Sequence, residues 1–231
     1  MRDLTHQIET GMQTYPDDPA VTVTPAATVD ADGYAVERVE FGSHTGTHVD
    51  APAHVIPDGR TLDEFDPDAF VFDALRVDCR ALGAREAIPA ALVPTEADAD
   101  CVVFDTGWAD HWGTPRYRDH PYLAPAAGEA CAAAGLAVAT DTLSPDPTPS
   151  ADAGGDGETD DDTGQSSVAT DPTGAPVHQA VLGAGCPIVE NLTGLAGLRR
   201  FELRALPLAL GGDGAPVRAV AVESTGDADP G

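Results

Sequence analysis

The sequence predicts an α/β fold in which strands outnumber helices. Residues 19–29 and 34–41 alternate apolar and polar side chains and are rich in β-branched residues, which predicts two early strands. Three short apolar runs follow at residues 75–79, 101–104 and 136–140, and they have the composition of buried strands. An Ala-rich segment of helical composition precedes the last of these runs. Helix and strand signals therefore alternate, and strands dominate.

Two segments between the predicted strands favour helix. Residues 88–93 are predicted to form a helical turn after Pro89, and residues 124–134 (APAAGEACAAA) to form a surface helix because alanine has the highest helix propensity. Gly135 is expected to cap this helix. Further along, residues 180–182 begin a short apolar stretch, and residues 187–189 have the pattern of another strand.

The C-terminal part of the chain predicts two closing strands. Residues 201–210 (FELRALPLAL) and 217–222 (VRAVAV) are apolar and β-branched in composition. The segment Gly211–Gly214 between them has the composition of a turn, which predicts a hairpin. The tail from Glu223 onwards is expected to fray.

The length of 231 residues predicts one domain, residues 1–231, with a disordered acidic insertion at 145–176. The insertion contains almost no large apolar side chain, so burial could not offset the entropy lost on ordering it. The alternatives are an active-site lid or a calcium loop, since Asp160, Asp161 and Asp162 are adjacent. Consecutive aspartates, however, do not follow the spacing of known calcium loops.

The charge of the chain excludes two classes of partner. It has 39 acidic residues against 12 basic ones, all of them Arg, and a formal net charge of -27. Such a surface repels nucleic acid and anionic membranes, and it suits a halophilic interior in which salt screens the self-repulsion. No apolar segment is long enough to span a membrane, and the N-terminus has no apolar stretch of the signal-peptide kind. We therefore expect a cytoplasmic protein that binds a small-molecule substrate.

The four cysteines do not predict a metal or redox site. Cys79, Cys101, Cys131 and Cys186 are widely spaced and form no C-x-x-C pair. We expect them to be buried, reduced thiols.

The chemistry is concentrated in residues 44–54, HTGTHVDAPAH. Four side chains that can bind a metal fall on even positions: His44, His48, Asp50 and His54. In an extended strand they would share one face, but His44 and His48 would then lie about 13 Å apart, too far for ligands of one ion. The chain must bend, and Gly46 is where it can do so, while Pro52 argues against a continuous helix. A metal site is favoured over a surface cluster or core histidines.

This run resembles the H-x-G-T-H-x-D-x-P-x-H signature of the cyclase family, which includes bacterial kynurenine formamidases and isatin hydrolases. Weaker similarities extend over most of the chain. They comprise Tyr15–Pro19, Phe104–Trp108, Asp141–Ser144, and the pair His178 and Glu190. Asp17 stands where the family more often has glycine.

The resemblance implies a compact, β-rich fold of the swivelling β/β/α type, assembled as a homo-oligomer, either a dimer or a tetramer. It also implies a centre of two divalent metal ions, Zn²⁺ or alternatively Mn²⁺. The implied ligands are His44, His48, Asp50, His178 and Glu190, with Asp50 and Glu190 bridging. His54 would be the catalytic acid and base. His6, His111 and His120 have no comparable partners and are expected at the surface.

The resemblance further implies hydrolysis of a carbon–nitrogen amide bond, with N-formylkynurenine converted to kynurenine and formate as the first hypothesis. An isatin-like cyclic imide or amide and a lactone are the alternatives within the same chemistry. A catalytically inactive, metal-binding family member is the alternative outside it. Tyr15 and Trp108 would flank an aromatic substrate, or they belong to the core.

Overall fold

The structure is a computed structural model that describes residues 1–149 and 171–223. The strands of this part of the chain are β1 (Arg2–Asp3), β2 (Thr22–Ala27), β3 (Val36–Glu40), β4 (His48–Asp50), β5 (Val71–Asp78), β6 (Ala87–Ile88), β7 (Cys101–Asp105), β8 (Tyr122–Leu123), β9 (Ala137–Thr140), β10 (Ile188–Glu190), β11 (Arg200–Arg204), β12 (Gly214–Pro216) and β13 (Val220–Val222). The α-helices are α1 (Val29–Asp32), α2 (Pro125–Ala134) and α3 (Pro176–Gly183). Short 3₁₀ helices cover Pro52–His54, Leu62–Glu64, Pro67–Phe70, Ala90–Leu92, Trp108–His111 and Pro115–Asp119.

Nine of these strands form one mixed sheet in the order β1-β13-β11-β5-β7-β9-β10-β4-β12. The central strands β5, β7, β9 and β10 are parallel to their neighbours in this group. Strands β11 and β4 pair antiparallel on either side of the group. Parallel strands are normally covered on both faces, which explains the continuous burial of β7 and β9. The predicted α/β class with dominant strands is confirmed.

The sheet curls so that strands far apart in its order enclose one core. Val49 on β4, Ala215 on β12 and Ala221 on β13 belong to the same buried apolar cluster, together with Phe201 and Leu203 of β11. Strand twist allows a sheet of this width to curl rather than stay flat. As a result β4, which carries His48 and Asp50, lies between β10 and β12 and not at an open edge.

The opposite face of the sheet packs against α2 and α3. Phe104 on β7 belongs to a second buried cluster that contains residues of both helices. Gly128 allows the helices to approach each other closely, since a Cβ there would lie 3.1 Å from Val177. Gly135 has a φ of 67° and caps α2, as predicted. Helix α2 thus contributes one face to the core, although its composition predicted a surface helix.

Most predicted strands lie within the expected segments. Strands β2 and β3 fall inside residues 19–29 and 34–41 and pair antiparallel, and the predicted helical turn at 88–93 contains a 3₁₀ helix. Helix α3 is an addition, because residues 180–182 by themselves show only a short apolar stretch.

The predicted closing hairpin is confirmed. Strands β11 and β13 pair antiparallel, and the bridge between Pro207 and Val217 continues the same register toward the loop that contains Gly211–Gly214. The end of this loop also enters β12, which pairs with β4 on the far side of the sheet order. Because β12 finds its backbone partners on β4, the residues just before it are placed beside the histidine-rich segment.

The ends of the predicted insertion at 145–176 pack on the protein. Asp146 and Thr148 are buried, and α3 begins at Pro176. Arg85 links the two ends, because it donates to the carbonyl oxygen of Thr148 at 3.0 Å and to the carboxylate of Asp171. The part of the insertion with Asp160, Asp161 and Asp162 lies outside the described residues.

The cysteines and the hydropathy agree with expectation. All four cysteines are free thiols; three are buried and Cys186 is half-buried. In the ranges that the structure describes, no helix has the length and apolar character needed to cross a bilayer.

The placement predicted for His120 is wrong. Its side chain is 1% exposed, and Nδ1 donates to the carbonyl oxygen of Pro121 at 2.8 Å. Burial lowers the pKa of His120 to about 4, so the ring is neutral. Because its N–H is also hydrogen-bonded, burying the ring costs little free energy. His6 is half-buried and stacks on Trp112 at a ring-centroid distance of 3.9 Å.

We expect Asp141→Asn to make folding less sensitive to pH. Burial raises the pKa of Asp141 to about 6, above the value of about 3.9 for an exposed aspartate, so the folded protein holds this proton more tightly than the unfolded chain. The resulting stability is present below the unfolded pKa and is lost as pH rises to the folded one. The asparagine variant should therefore gain roughly 2 kcal/mol relative to wild type between about pH 4.5 and about pH 7.5.

The measurement is the free energy of unfolding in urea at both pH values. Subtracting the wild-type value from the variant value at each pH removes titrations that the two proteins share, and comparing the two resulting differences removes effects of the substitution that do not depend on pH. A difference that stays constant across this range would contradict the prediction.

Candidate metal centre

The backbone of the histidine-rich segment turns at Gly46, which has a φ of 61°. After the turn, the segment enters β4, where His48 and Asp50 lie two positions apart and point to the same side. The chain then enters the 3₁₀ helix Pro52–His54. The bend that the ligand spacing requires therefore lies at the predicted glycine.

Strand pairing adds residues from the distant parts of the chain. In the antiparallel pairing of β10 with β4, Glu190 lies opposite His48. On the other side of β4, Gly214 of β12 lies opposite Asp50. A Cβ at position 214 would lie 2.6 Å from Cε1 of His44, so only glycine allows this approach. His178 comes from the first turn of α3.

The five predicted ligands converge on a buried pair of carboxylates. Asp50 Oδ1 lies 2.7 Å from Nδ1 of His44 and 3.2 Å from Nε2 of His48. Nε2 of His178 lies 3.7 Å from Asp50 Oδ2 and 3.2 Å from Glu190 Oε1. Glu190 Oε2 lies 3.3 Å from Nε2 of His48. Asp50 is thus common to two groups of potential ligand atoms, one with His44 and His48 and one with His178 and Glu190.

Each of these three histidines turns its second ring nitrogen outward to an acceptor. Nδ1 of His48 donates to the carbonyl oxygen of Gly46 at 2.8 Å. Nδ1 of His178 lies 2.7 Å from Asp146 Oδ2. Nε2 of His44 lies 2.9 Å from Asp213 Oδ2. Outer acceptors of this kind fix the tautomer and orientation of metal-binding histidines.

The two buried carboxylates dominate the electrostatics. Burial alone would lower the pKa of His48 and that of His178, but the neighbouring carboxylates raise both well above the usual value. Burial would raise the pKa of Asp50, yet the surrounding histidines lower it well below its usual range. Two buried negative charges therefore require positive charge close by.

A divalent cation fits this centre. Asp50 Oδ2 and Glu190 Oε1 are buried and have no hydrogen-bond partner among the described residues. His44 faces a carboxylate oxygen on both ring nitrogens, an arrangement that a cation on the Asp50 side satisfies without a second ring proton. Imidazole nitrogen and carboxylate oxygen are also the donors that suit zinc and similar divalent ions.

His54 lies at the side of the cluster that faces a cavity of about 290 Å³. Its ring centroid is 4.0 Å from that of His44 and 5.6 Å from that of His178. Nδ1 lies 3.5 Å from Asp213 Oδ2, and 31% of the side chain is exposed. Burial lowers the pKa of His54. The ring is thus next to the carboxylate cluster and open to the cavity.

The two aromatic residues predicted to contact substrate are placed differently. Tyr15 lines the cavity, together with Asp18. Trp108 does not line it; the side chain is 5% exposed and packs in a cluster with Tyr117 and Leu143. Its Nε1 donates to a backbone carbonyl 8 residues away. Of the two roles considered for Trp108, the structure therefore favours the core.

Two residues of the centre were not found from the sequence. Asp146 is buried and accepts from the backbone N–H groups of Val177 and His178 at 3.0 Å each, as well as from the ring of His178. It falls at the start of the segment that composition predicts as disordered. Asp213 falls in the segment predicted as a turn. A single Asp in a Gly- and Asp-rich stretch gives no signal of its own.

Known proteins resemble this chain along most of its length. The Cyclase family model matches residues 2–147. Kynurenine formamidase from Salinibacter ruber is 32% identical over 231 residues, which cover 94% of this chain and 95% of that protein. Isatin hydrolase A from Labrenzia aggregata, solved with benzyl benzoate, has a TM-score of 0.75 and 21% identity, and the match covers 95% of this chain and 91% of that one. Isatin hydrolase A from Ralstonia solanacearum has a TM-score of 0.76 and 23% identity, with 96% and 91% covered. The two structures share the fold described above.

Proposed function

This chain belongs to the cyclase family, and from that membership we propose that it is a metal-dependent hydrolase that cleaves the carbon–nitrogen bond of an aromatic formamide. The first candidate substrate is N-formylkynurenine, which would yield kynurenine and formate. The observation that carries this proposal is the pair of ligand groups that share Asp50, with His54 beside them at the edge of the cavity. The identity of 32% to a kynurenine formamidase supports the choice of substrate.

We propose two divalent ions, with Zn²⁺ as the first choice and Mn²⁺ as the alternative. One would be held by His44, His48 and Asp50, and the other by Asp50, His178 and Glu190. The carboxylates of Asp50 and Glu190 would bridge the two ions. When bound, such ions lower the pKa of a water molecule toward neutrality and stabilise negative charge on a carbonyl oxygen. The presence of two carboxylates offsets much of the charge of two cations.

His54 is proposed as the acid and base of the reaction. Nδ1 faces Asp213, which leaves Nε2 as the nitrogen that is available to the reacting groups. Nε2 accepts a proton from the attacking water and returns it to the leaving amine nitrogen, so that the amine departs neutral. An imidazole is suited to both steps because it titrates near neutral pH. Tyr15, on the cavity wall, would contact the aromatic ring of the substrate.

Asp18 is expected to give the cavity a preference for substrates that carry a positive charge. It lines the cavity, whereas no Arg does so in the part of the chain that the structure describes, and the chain has no Lys. The cavity therefore offers a negative side chain to the ammonium group of an amino-acid substrate. We expect Asp18→Asn to raise the KM for N-formylkynurenine about two- to five-fold, the effect of losing a partly exposed charge pair, with kcat unchanged.

The matched control is Asp17→Asn. It makes the same charge change at the adjacent residue, which does not line the cavity. Asparagine also tolerates the φ of 72° at this position. Formanilide, which has an aromatic formamide but no ammonium group, should show the same KM in all three proteins. An equal rise in KM for both substrates would contradict the charge interaction.

The experiment that tests the function is metal content by mass spectrometry, paired with formate release from N-formylkynurenine on protein purified in high salt. About two ions per chain with formate release would support the proposal. Bound metal without formate release, but with hydrolysis of isatin or a lactone, would replace the substrate class. Metal-free, folded protein with no hydrolysis would overturn it. Homo-oligomer formation, a cytoplasmic location and adaptation to high salt stay predictions.

A further inference from the structure

The carboxylate of Asp213 has no part in the reaction proposed above, yet it lies between two of its histidines. We infer that Asp213 is a positioning residue that holds the ligand His44 and the acid/base residue His54 in their working orientations. This inference rests on the proposed function, because it takes the roles of the two histidines from it. None of the segments that resemble the cyclase family in sequence includes Asp213.

One oxygen of Asp213 serves both rings. Oδ2 lies 2.9 Å from Nε2 of His44 and 3.5 Å from Nδ1 of His54. These contacts leave the other nitrogen of His44 facing Asp50 and the other nitrogen of His54 free for proton transfer. The ring centroids are only 4.0 Å apart, so a rotation of one ring would displace the other. A single carboxylate therefore couples the orientation of a ligand to that of the acid/base residue.

Asp213 also completes a pattern shared by the histidine ligands. The outer nitrogen of His48 is held by the carbonyl oxygen of Gly46, and that of His178 by Asp146. Without Asp213, His44 would be the one ligand of the three with no such acceptor. Acceptors of this type typically change metal affinity by about 10–100-fold when they are removed.

The backbone around Asp213 is fixed close to the centre. Its carbonyl oxygen accepts from the N–H of Ala51 at 2.8 Å, and the carbonyl oxygen of Gly212 accepts from Leu62 at 2.8 Å. On the far side, Gly214 pairs with β4 opposite Asp50. Bonds on both sides thus restrain the position of the carboxylate, although 42% of the side chain is exposed.

The test compares Asp213→Ala and Asp213→Asn with the matched changes Asp63→Ala and Asp63→Asn. Asp63 is a suitable control because it lies beside the same loop, 3.3 Å from where a Cβ of Gly211 would be, and contacts neither histidine. Two quantities are measured on each protein. The first is Zn²⁺ affinity by competition with a chelator, and the second is kcat and KM for formate release at saturating Zn²⁺.

For Asp213→Ala we expect a 10–100-fold loss of Zn²⁺ affinity, an unchanged number of ions at saturation, and a lower kcat with little change in KM. Asp213→Asn keeps one acceptor oxygen for two rings, so its loss should be smaller. The Asp63 variants should match wild type. A lower melting temperature with unchanged affinity and kcat would overturn the inference, and so would the loss of an ion at saturation, since that would make Asp213 a ligand. Wild type that binds Zn²⁺ but releases no formate would refute the proposed substrate alone, because the affinity measurement still tests Asp213.

Discussion

Asp50→Asn is expected to abolish formate release, with a fall of about 10³-fold or more. Asp50 is fully buried and contacts three of the histidines of the centre. An amide has the same shape but carries no charge, so neither proposed ion would keep its shared anionic ligand. Loss of metal-based stabilisation amounting to several kcal/mol corresponds to a decrease of this size.

The measurement combines metal content with formate release at saturating substrate. Asp141→Asn is the matched control, because Asp141 is also buried but belongs to none of the potential metal-binding groups. The control should keep both its metal and its activity. If Asp50→Asn retained two ions per chain and near-normal formate release, the shared-carboxylate arrangement would be wrong.

His54→Ala is expected to lower kcat by about 10²–10⁴-fold, which is the usual contribution of general acid–base catalysis. In contrast to Asp50→Asn, the metal content should not change, because neither of the two ligand groups that share Asp50 contains His54. Added imidazole should restore part of the rate, since the removed ring leaves space that opens to the cavity.

His111→Ala provides the control for this second variant. It removes the same side chain from a 3₁₀ helix beside Trp108, outside the cavity lining. We expect wild-type kinetics and metal content from it. Loss of an ion in His54→Ala would instead place His54 among the ligands. The geometry allows this outcome, because potential ligand atoms of His44, His54 and Asp213 also lie within 4.8 Å of one another.

Local sequence patterns correctly predicted those helices and strands that can be recognised without knowing what they pack against. Alternation located β2 and β3, and an Ala-rich run followed by glycine located α2 with its cap at Gly135. The segment of predicted ligands was likewise recognisable within eleven residues, including the bend at Gly46. The distal pair His178 and Glu190 was found only through the family resemblance, because a lone histidine near an apolar stretch carries little signal.

The failures have a common cause in tertiary context. His120 looked exposed because a histidine without nearby partners usually is, whereas a backbone carbonyl satisfies it in the core. Asp146 was predicted to lie in a disordered insertion, because composition does not reveal that its carboxylate accepts from the backbone at the start of α3 and contacts the ring of His178.

The α/β class, the predicted ligand residues that follow one another along the chain, and the turn that lets them converge can all be inferred from the sequence. These depend on spacing and on the conformational freedom of one glycine, which are local properties. The acceptors that hold the outer nitrogens of the histidines follow only from the three-dimensional fold. Asp213 lies 169 residues from His44 along the chain. It reaches that ring because β4 pairs with β12 in one particular register, and register is fixed by packing of the whole sheet.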